Sequence, residues 1–175
     1  MNAIWRRQWV FTGHSAQIPS AGDYFTVDID GDSILVIRGK DGEIRAFHNL
    51  CRHRGTLLCV EPQGHAESLV CPYHQWAYAV EDGRLVKTSS SIMTDDFDRA
   101  DYPLVAVAVQ LWRGHIFVHP DVAATWDEDA LFQRSAQGLA RFPLEDMVVG
   151  HSWRKILNCN WKTFWENFNE CLHCP

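Results

Sequence analysis

Short runs of hydrophobic residues, broken by polar turns, fill the first two thirds of the chain. Tyr24-Phe25-Thr26-Val27-Asp28-Ile29 is strand-like and stops at Asp30-Gly31-Asp32. Ser33-Ile34-Leu35-Val36-Ile37-Arg38 returns, and Lys40-Asp41-Gly42-Glu43 makes a second turn before Ile44-Arg45-Ala46-Phe47. Asp-Gly between β-branched runs is a hairpin signal, because a two-residue turn needs positive φ at both positions. The same reading predicts strands over 68–71, 77–80, 104–111 and 115–119, with a further turn at Glu81-Asp82-Gly83-Arg84. Many short strands joined by tight turns predict a mainly β fold, a sandwich or small barrel, over 5–120.

Beyond residue 121 the pattern changes. Asp127-Glu128-Asp129-Ala130-Leu131-Phe132 and the Ala/Leu-rich stretch after it predict a helical connector ending near 140. A strand is expected over 148–157, then a helix capped by Asn160. Trp161, Phe164, Trp165, Phe168 and Leu172 recur at helical spacing and form one apolar face. Glu166, Glu170 and His173 fall on another, and Glu170 and His173, three apart, are neighbours there.

A chain of 175 residues holds one domain, or one domain and part of a second. Eight tryptophans, five of them near the two ends, argue that both ends pack against something. The formal charge of −6 excludes a nucleic-acid or anionic-membrane partner, since both need clustered Lys and Arg. No apolar stretch approaches the ~18–20 residues of a membrane span, and the first residues lack the order of a signal peptide. A cytoplasmic location is expected. Six cysteines in a reducing compartment are then ligands or free thiols rather than disulfides.

The densest chemistry lies in Cys51-Arg52-His53 and Cys71-Pro72-Tyr73-His74. Two thiolates and two imidazoles at the tips of two loops suit one [2Fe–2S] centre, two cysteines on one iron and two histidines on the other. A tetrahedral zinc site is the rival, since it also takes two Cys and two His. Zinc sites more often open with a Cys-x2–4-Cys knuckle, whereas each loop here carries one of each. The bland alternative is unrelated buried cysteines and surface histidines.

Asn49-Leu50-Cys51-Arg52-His53-Arg54-Gly55 and Cys71-Pro72-Tyr73-His74-Gln75-Trp76 closely resemble the Rieske domain of ring-hydroxylating (Rieske non-haem iron) oxygenase large subunits. The resemblance extends through Trp112-Arg113-Gly114-His115-Ile116-Phe117-Val118 and Asn160-Trp161-Lys162 into Glu166-Asn167-Phe168-Asn169-Glu170-Cys171-Leu172-His173-Cys174. It implies a Rieske domain with its N-terminal arm over 1–122, a helical connector over 123–147, and the start of an α+β catalytic domain over 148–175. It implies further that His173 is the first ligand of a mononuclear Fe(II) and Glu170 the carboxylate bridging it to the cluster. The family more often places Asp at that bridge. The Glu-Cys-x-His-Cys form found here is closer to the branch acting on quaternary amines such as betaines and carnitine. The remaining iron ligands should lie past Pro175, so this stretch alone is expected to be inactive, with its aromatic helix face exposed or partly covered.

The resemblance also implies a homotrimer, a small-molecule substrate hydroxylated on an aromatic ring or an N-methyl group, and electrons from NAD(P)H arriving through a reductase or ferredoxin. Respiratory Rieske proteins carry an extra cysteine in each cluster loop, where Thr56 and Tyr73 stand here, so that bridge is absent. Trp76 occupies the place of a hydroxyl donor to a cluster sulfur, which predicts a potential at the low end of the Rieske range, about −150 mV. A stand-alone Rieske ferredoxin is the alternative, and the Glu170/His173 helix argues against it. His115 and His119 lie four apart on a strand, ~13 Å along it, and cannot chelate one ion. They read as sheet-surface histidines, as do His14, His48, His65 and His151. Cys171 and Cys174 end a helix rather than begin one, so they read as free thiols, not a thioredoxin-type pair.

Overall fold

The computed structural model describes residues 5–89, 94–153 and 155–169. Strand β3 (Asp32–Arg38) holds four consecutive buried residues, Ile34, Leu35, Val36 and Ile37. An unbroken apolar run in a strand means that both faces are covered. Leu35 and Ile37 point into one core, with Phe47, Leu69, Tyr78, Val80, Leu85 and Leu104. Ile34 and Val36 point into the other, with Ile18, Phe25, Ala46, Ile116 and Val118.

Around β3 the chain builds an all-antiparallel sheet. Its neighbours are β2 (Asp23–Ile29) and β4 (Ile44–His48), and the outer strands are β1 (Val10–His14), β5 (Gln63–His65), β9 (Ala106–Trp112) and β10 (His115–His119). The order across the sheet is β1-β10-β9-β4-β3-β2-β5. A small sheet of β6 (Leu69–Val70), β7 (Ala77–Tyr78) and β8 (Leu85–Lys87) supplies the first core's other wall. The expected mainly β architecture is the one observed. The Asp30-Gly31 turn has positive φ at both residues and joins Ile29 to Asp32 in register, the hairpin that Asp-Gly predicts.

β8 returns beside β7 after the turn expected at 81–84. Two strands have no counterpart in the expected pattern. β1 carries a glycine at its fourth position, and β5 is short and wholly exposed. Each forms because a neighbouring strand offers it a ladder, which a run of residues does not reveal by itself. The converse holds at 148–157. Its described residues form no strand, and Val148 and Ile156 are 77% and 89% exposed. Among the described residues nothing pairs with that backbone, and β propensity without a partner does not make a strand.

Helix α1 (Glu128–Leu139) falls inside the expected connector. Phe132 stacks on Trp112 at 4.1 Å and 7°, and Trp126 meets Phe117 and Trp9, so the connector lies against the outer strands. Helix α2 (Trp161–Asn169) starts where expected, with Asn160 Oδ1 accepting from the Lys162 amide at 3.0 Å. Its apolar face is partly bare, as expected, Trp165 being 61% exposed, while Trp161 meets Trp5 edge-on at 6.0 Å. Glu170, Cys171, His173 and Cys174 lie outside the described residues. Two histidines read as surface residues are buried. His14 caps the turn Ser15–Gln17, its Nδ1 accepting from Ala16 N–H, and His119 accepts from the Asp121 amide. In both, a local backbone group satisfies the ring, so burial costs little. Among the described residues no helix is long and apolar enough to cross a membrane.

Leu35 is fully buried in the core beneath the small sheet. Leu35→Ala should lower the unfolding free energy by about 2–5 kcal/mol, read from urea unfolding. A loss below about 1 kcal/mol would mean that this core collapses around the cavity.

Candidate metal centre

Both Cys/His loops make the same turn. In the first, Cys51 N–H donates to Thr56 O at 2.8 Å and Gly55 N–H donates back to Cys51 O at 2.9 Å. In the second, Cys71 N–H donates to Trp76 O at 2.8 Å and Gln75 N–H donates to Cys71 O at 2.9 Å. The turn needs a left-handed residue at its fifth position. Gly55 supplies φ 70° there, and Gln75 is held at φ 58°. Each loop thereby aims a cysteine inward and a histidine outward.

The two loops meet. His53 Nδ1 and His74 Nδ1 are 3.1 Å apart, and the Cys71 thiol lies beside that of Cys51. Cys51 and Cys71 are 3% and 1% exposed, whereas the His53 ring lies at the surface and that of His74 is half-buried. The four donors thus divide into a buried sulfur pair and an outer nitrogen pair. Among the described residues no three His, Cys, Asp or Glu side chains converge on a single ion. That division disfavours the tetrahedral zinc reading. It suits a two-iron cluster, which takes sulfur at one end and nitrogen at the other.

Supporting residues fix each donor. Asn49 is buried and fully used. Its amide NH2 donates to Cys59 O at 2.7 Å and Ser33 Oγ at 3.1 Å, and its carbonyl accepts from Cys59 N–H at 2.9 Å. It therefore ties both ends of the first loop together and to β3. The His53 ring stacks on Trp76 at 4.9 Å and 13°, and the Tyr73 ring lies 3.7 Å from that of His74. Desolvation, then His74 and Arg54, holds His53 below the usual imidazole value, which keeps a nitrogen lone pair free. Burial raises the Cys51 thiol. A bound cation reverses that preference, since its charge stabilises the thiolate.

Sequence reasoning missed Tyr78. The Arg52 amide donates to its hydroxyl at 3.0 Å, and Cys51 Sγ lies 3.3 Å from the same oxygen, where a metal-bound thiolate can only accept the phenol proton. The reading of Trp76 did not weigh this hydroxyl, two residues further on. A tyrosine in the apolar run Ala77-Tyr78-Ala79-Val80 was the available signal, since a buried phenol must find a partner. Cys59 is not brought to the site. Burial lifts its thiol to about 11, and Tyr24 hydrogen-bonds it.

Asn49→Ala strands the Cys59 amide and carbonyl inside the protein. The change should cost about 2–3 kcal/mol in urea unfolding. Unchanged stability would remove Asn49 from its role as the loop's tie.

Comparison with known proteins places this geometry. Residues 8–97 match the Rieske [2Fe–2S] domain family, and residues 144–175 match the catalytic domain of the ring-hydroxylating alpha subunit. The oxygenase subunit of glycine betaine monooxygenase from Chromohalobacter salexigens is 38% identical over 99% of this chain and 38% of its own length. The oxygenase subunit of carnitine monooxygenase from Escherichia coli is 34% identical, over 98% of this chain and 46% of its own length. A crystal structure of the quaternary ammonium Rieske monooxygenase CntA with L-carnitine superposes with a TM-score of 0.86 at 31% identity, over 99% of this chain and 49% of that one. The chain thus spans less than half the length of these relatives. Its two cysteine-histidine loops, its β architecture and these matches together make it a member of the Rieske [2Fe–2S] domain family, with its last residues similar to the catalytic domain of ring-hydroxylating alpha subunits.

Proposed function

We propose that the chain is the electron-transfer part of such a subunit, with Cys51, His53, Cys71 and His74 holding a [2Fe–2S] cluster. The observation that carries this is the division of the donors into a buried thiol pair and an outer imidazole pair 3.1 Å apart. When bound, the cluster supplies one-electron transfer at a potential that its ligands and their hydrogen bonds set. The residues around it do the rest. Asn49 holds the first loop closed, Trp76 fixes the His53 ring, and Tyr78 donates to the Cys51 sulfur. The domain division is proposed as 1–122 for the Rieske unit, 123–147 for the connector and 148–175 for the start of the catalytic domain.

In the whole enzyme Glu170 would bridge the cluster to a mononuclear Fe(II) at His173, across a subunit boundary in a homotrimer. Electrons would come from NAD(P)H through a reductase. The betaine and carnitine relatives favour a quaternary-ammonium substrate. Dioxygen, two electrons and two protons would convert an N-methyl group to N-hydroxymethyl, with water as the other product. That carbinolamine would release formaldehyde and a proton, leaving the demethylated amine.

Anaerobic loading of the chain with iron and sulfide should give two irons and two sulfides per chain, visible absorption and a reduced-state EPR signal. Cys71→Ser should abolish all of these. Stoichiometric zinc without iron would overturn the assignment. Tyr78→Phe should keep the cluster but lower its midpoint potential by about 20–60 mV, the electrical equivalent of one hydrogen bond. An unshifted potential in a potentiometric titration would show that the phenol proton points elsewhere.

A further inference from the structure

The turn between β9 and β10 consists of Arg113 at φ 48° and Gly114 at φ 83°, with Trp112 opposite His115. Asn, Asp or Gly suits the first place of such a turn, and a long side chain there is strained. Strain of this kind invites a search for what holds it. The Arg113 guanidinium reaches away from its own hairpin. Its Nη1 donates to Leu139 O at 3.0 Å and its Nη2 to Phe142 O, while its Nε lies 3.4 Å from Glu145. Helix α1 has no basic residue in its own last turn, so this cation from another element takes the carbonyl of its final residue, Leu139, and that of Phe142 just beyond.

A second tie lies beside the first. His14 Nε2 donates to Leu144 O at 3.0 Å while its Nδ1 accepts from Ala16 N–H, which assigns the neutral tautomer. A Cβ on Gly114 would collide with the His14 ring and crowd the Glu145 backbone, so only glycine lets the three segments close. Past Met147 the described residues are all exposed. Trp153 lies over a groove of about 900 Å³ lined by Phe25, Asp28 and Pro62, and Trp161 touches Trp5 at 6.0 Å.

We propose that Arg113 is a positioning residue. With His14 and Gly114 it latches the end of α1 to the Rieske unit and sets the direction in which the chain leaves for the second domain. This rests on the reading that the second domain carries the iron, for the exit direction then sets the distance over which the electron passes.

Arg113→Gly tests it, because glycine relieves the strained turn while removing the latch. The cluster-loaded chain would carry Cys171→Ser and Cys174→Ser, with a gadolinium label on the exposed Cys159. The thermal midpoint and the cluster potential should hold. Amide exchange at Phe142 and Leu144 should quicken about tenfold, as for one lost charged hydrogen bond. The distance distribution between the reduced cluster and the label, read by pulsed EPR, should widen at least about twofold. Arg113→Lys, which can reach one carbonyl at a time, should fall between. Faster exchange with an unchanged distance distribution would reduce Arg113 to a helix cap and overturn the proposal, as would unchanged exchange. If Arg113→Gly fails to fold, Arg113→Asn, also suited to the turn, gives the same readings. A missing EPR signal in the parent chain would strike the cluster reading alone, and a second gadolinium label on Glu43→Cys, exposed in the β3–β4 turn, would then supply the distance that decides the latch.

Discussion

Each metal-site loop closes on its own cysteine. The amide of Cys51 binds the carbonyl of Thr56 and its carbonyl takes the amide of Gly55, and Cys71 repeats the pattern with Trp76 and Gln75. These four backbone bonds decide which way every donor points. They hold the sulfurs against the first core, where Leu35, Tyr78 and Val80 pack, and leave the histidines at the tips. Without them the loops would be two stretches of polar chain with no reason to meet. The cores of β3 and the small sheet serve as the platform on which the turns are set.

That platform is also why the site tolerates strain. Gln75 takes a left-handed backbone that Gly55 adopts freely in the sister loop, at a cost of about 1 kcal/mol. Arg113 does the same at a distant hairpin. In one place the loop's own bond to the Cys71 carbonyl fixes the backbone, and in the other the Leu139 carbonyl that ends α1 does, from 26 residues away. Local preference yields wherever enough neighbours insist.

What the sequence disclosed follows the same line. Strand β3, the Asp30-Gly31 hairpin, the Asn160 cap and the two Cys/His loops are written in a few adjacent residues, and each was legible. Strand β5, the contact of His14 with Leu144 and that of the Tyr78 hydroxyl with Cys51 depend on residues 27 to 130 positions away, and none was. The strand expected over 148–157 failed for the same reason in reverse, since its composition was right and its partner was missing among the described residues. Local chemistry reads from a window of sequence, whereas satisfaction of a polar group reads only from the fold.

The separation of thiols from imidazoles gives the site a back and a front. The back is built from Cys51, Cys71, Asn49 and Tyr78, and it belongs to the core. The front is His53, His74 and the exposed Arg52, Arg54 and Tyr73, which belong to the surface. On the reading proposed above, Asn49 and Tyr78 at the back act on how tightly an electron is held, and Arg52, Arg54 and Tyr73 at the front act on which partner collects it.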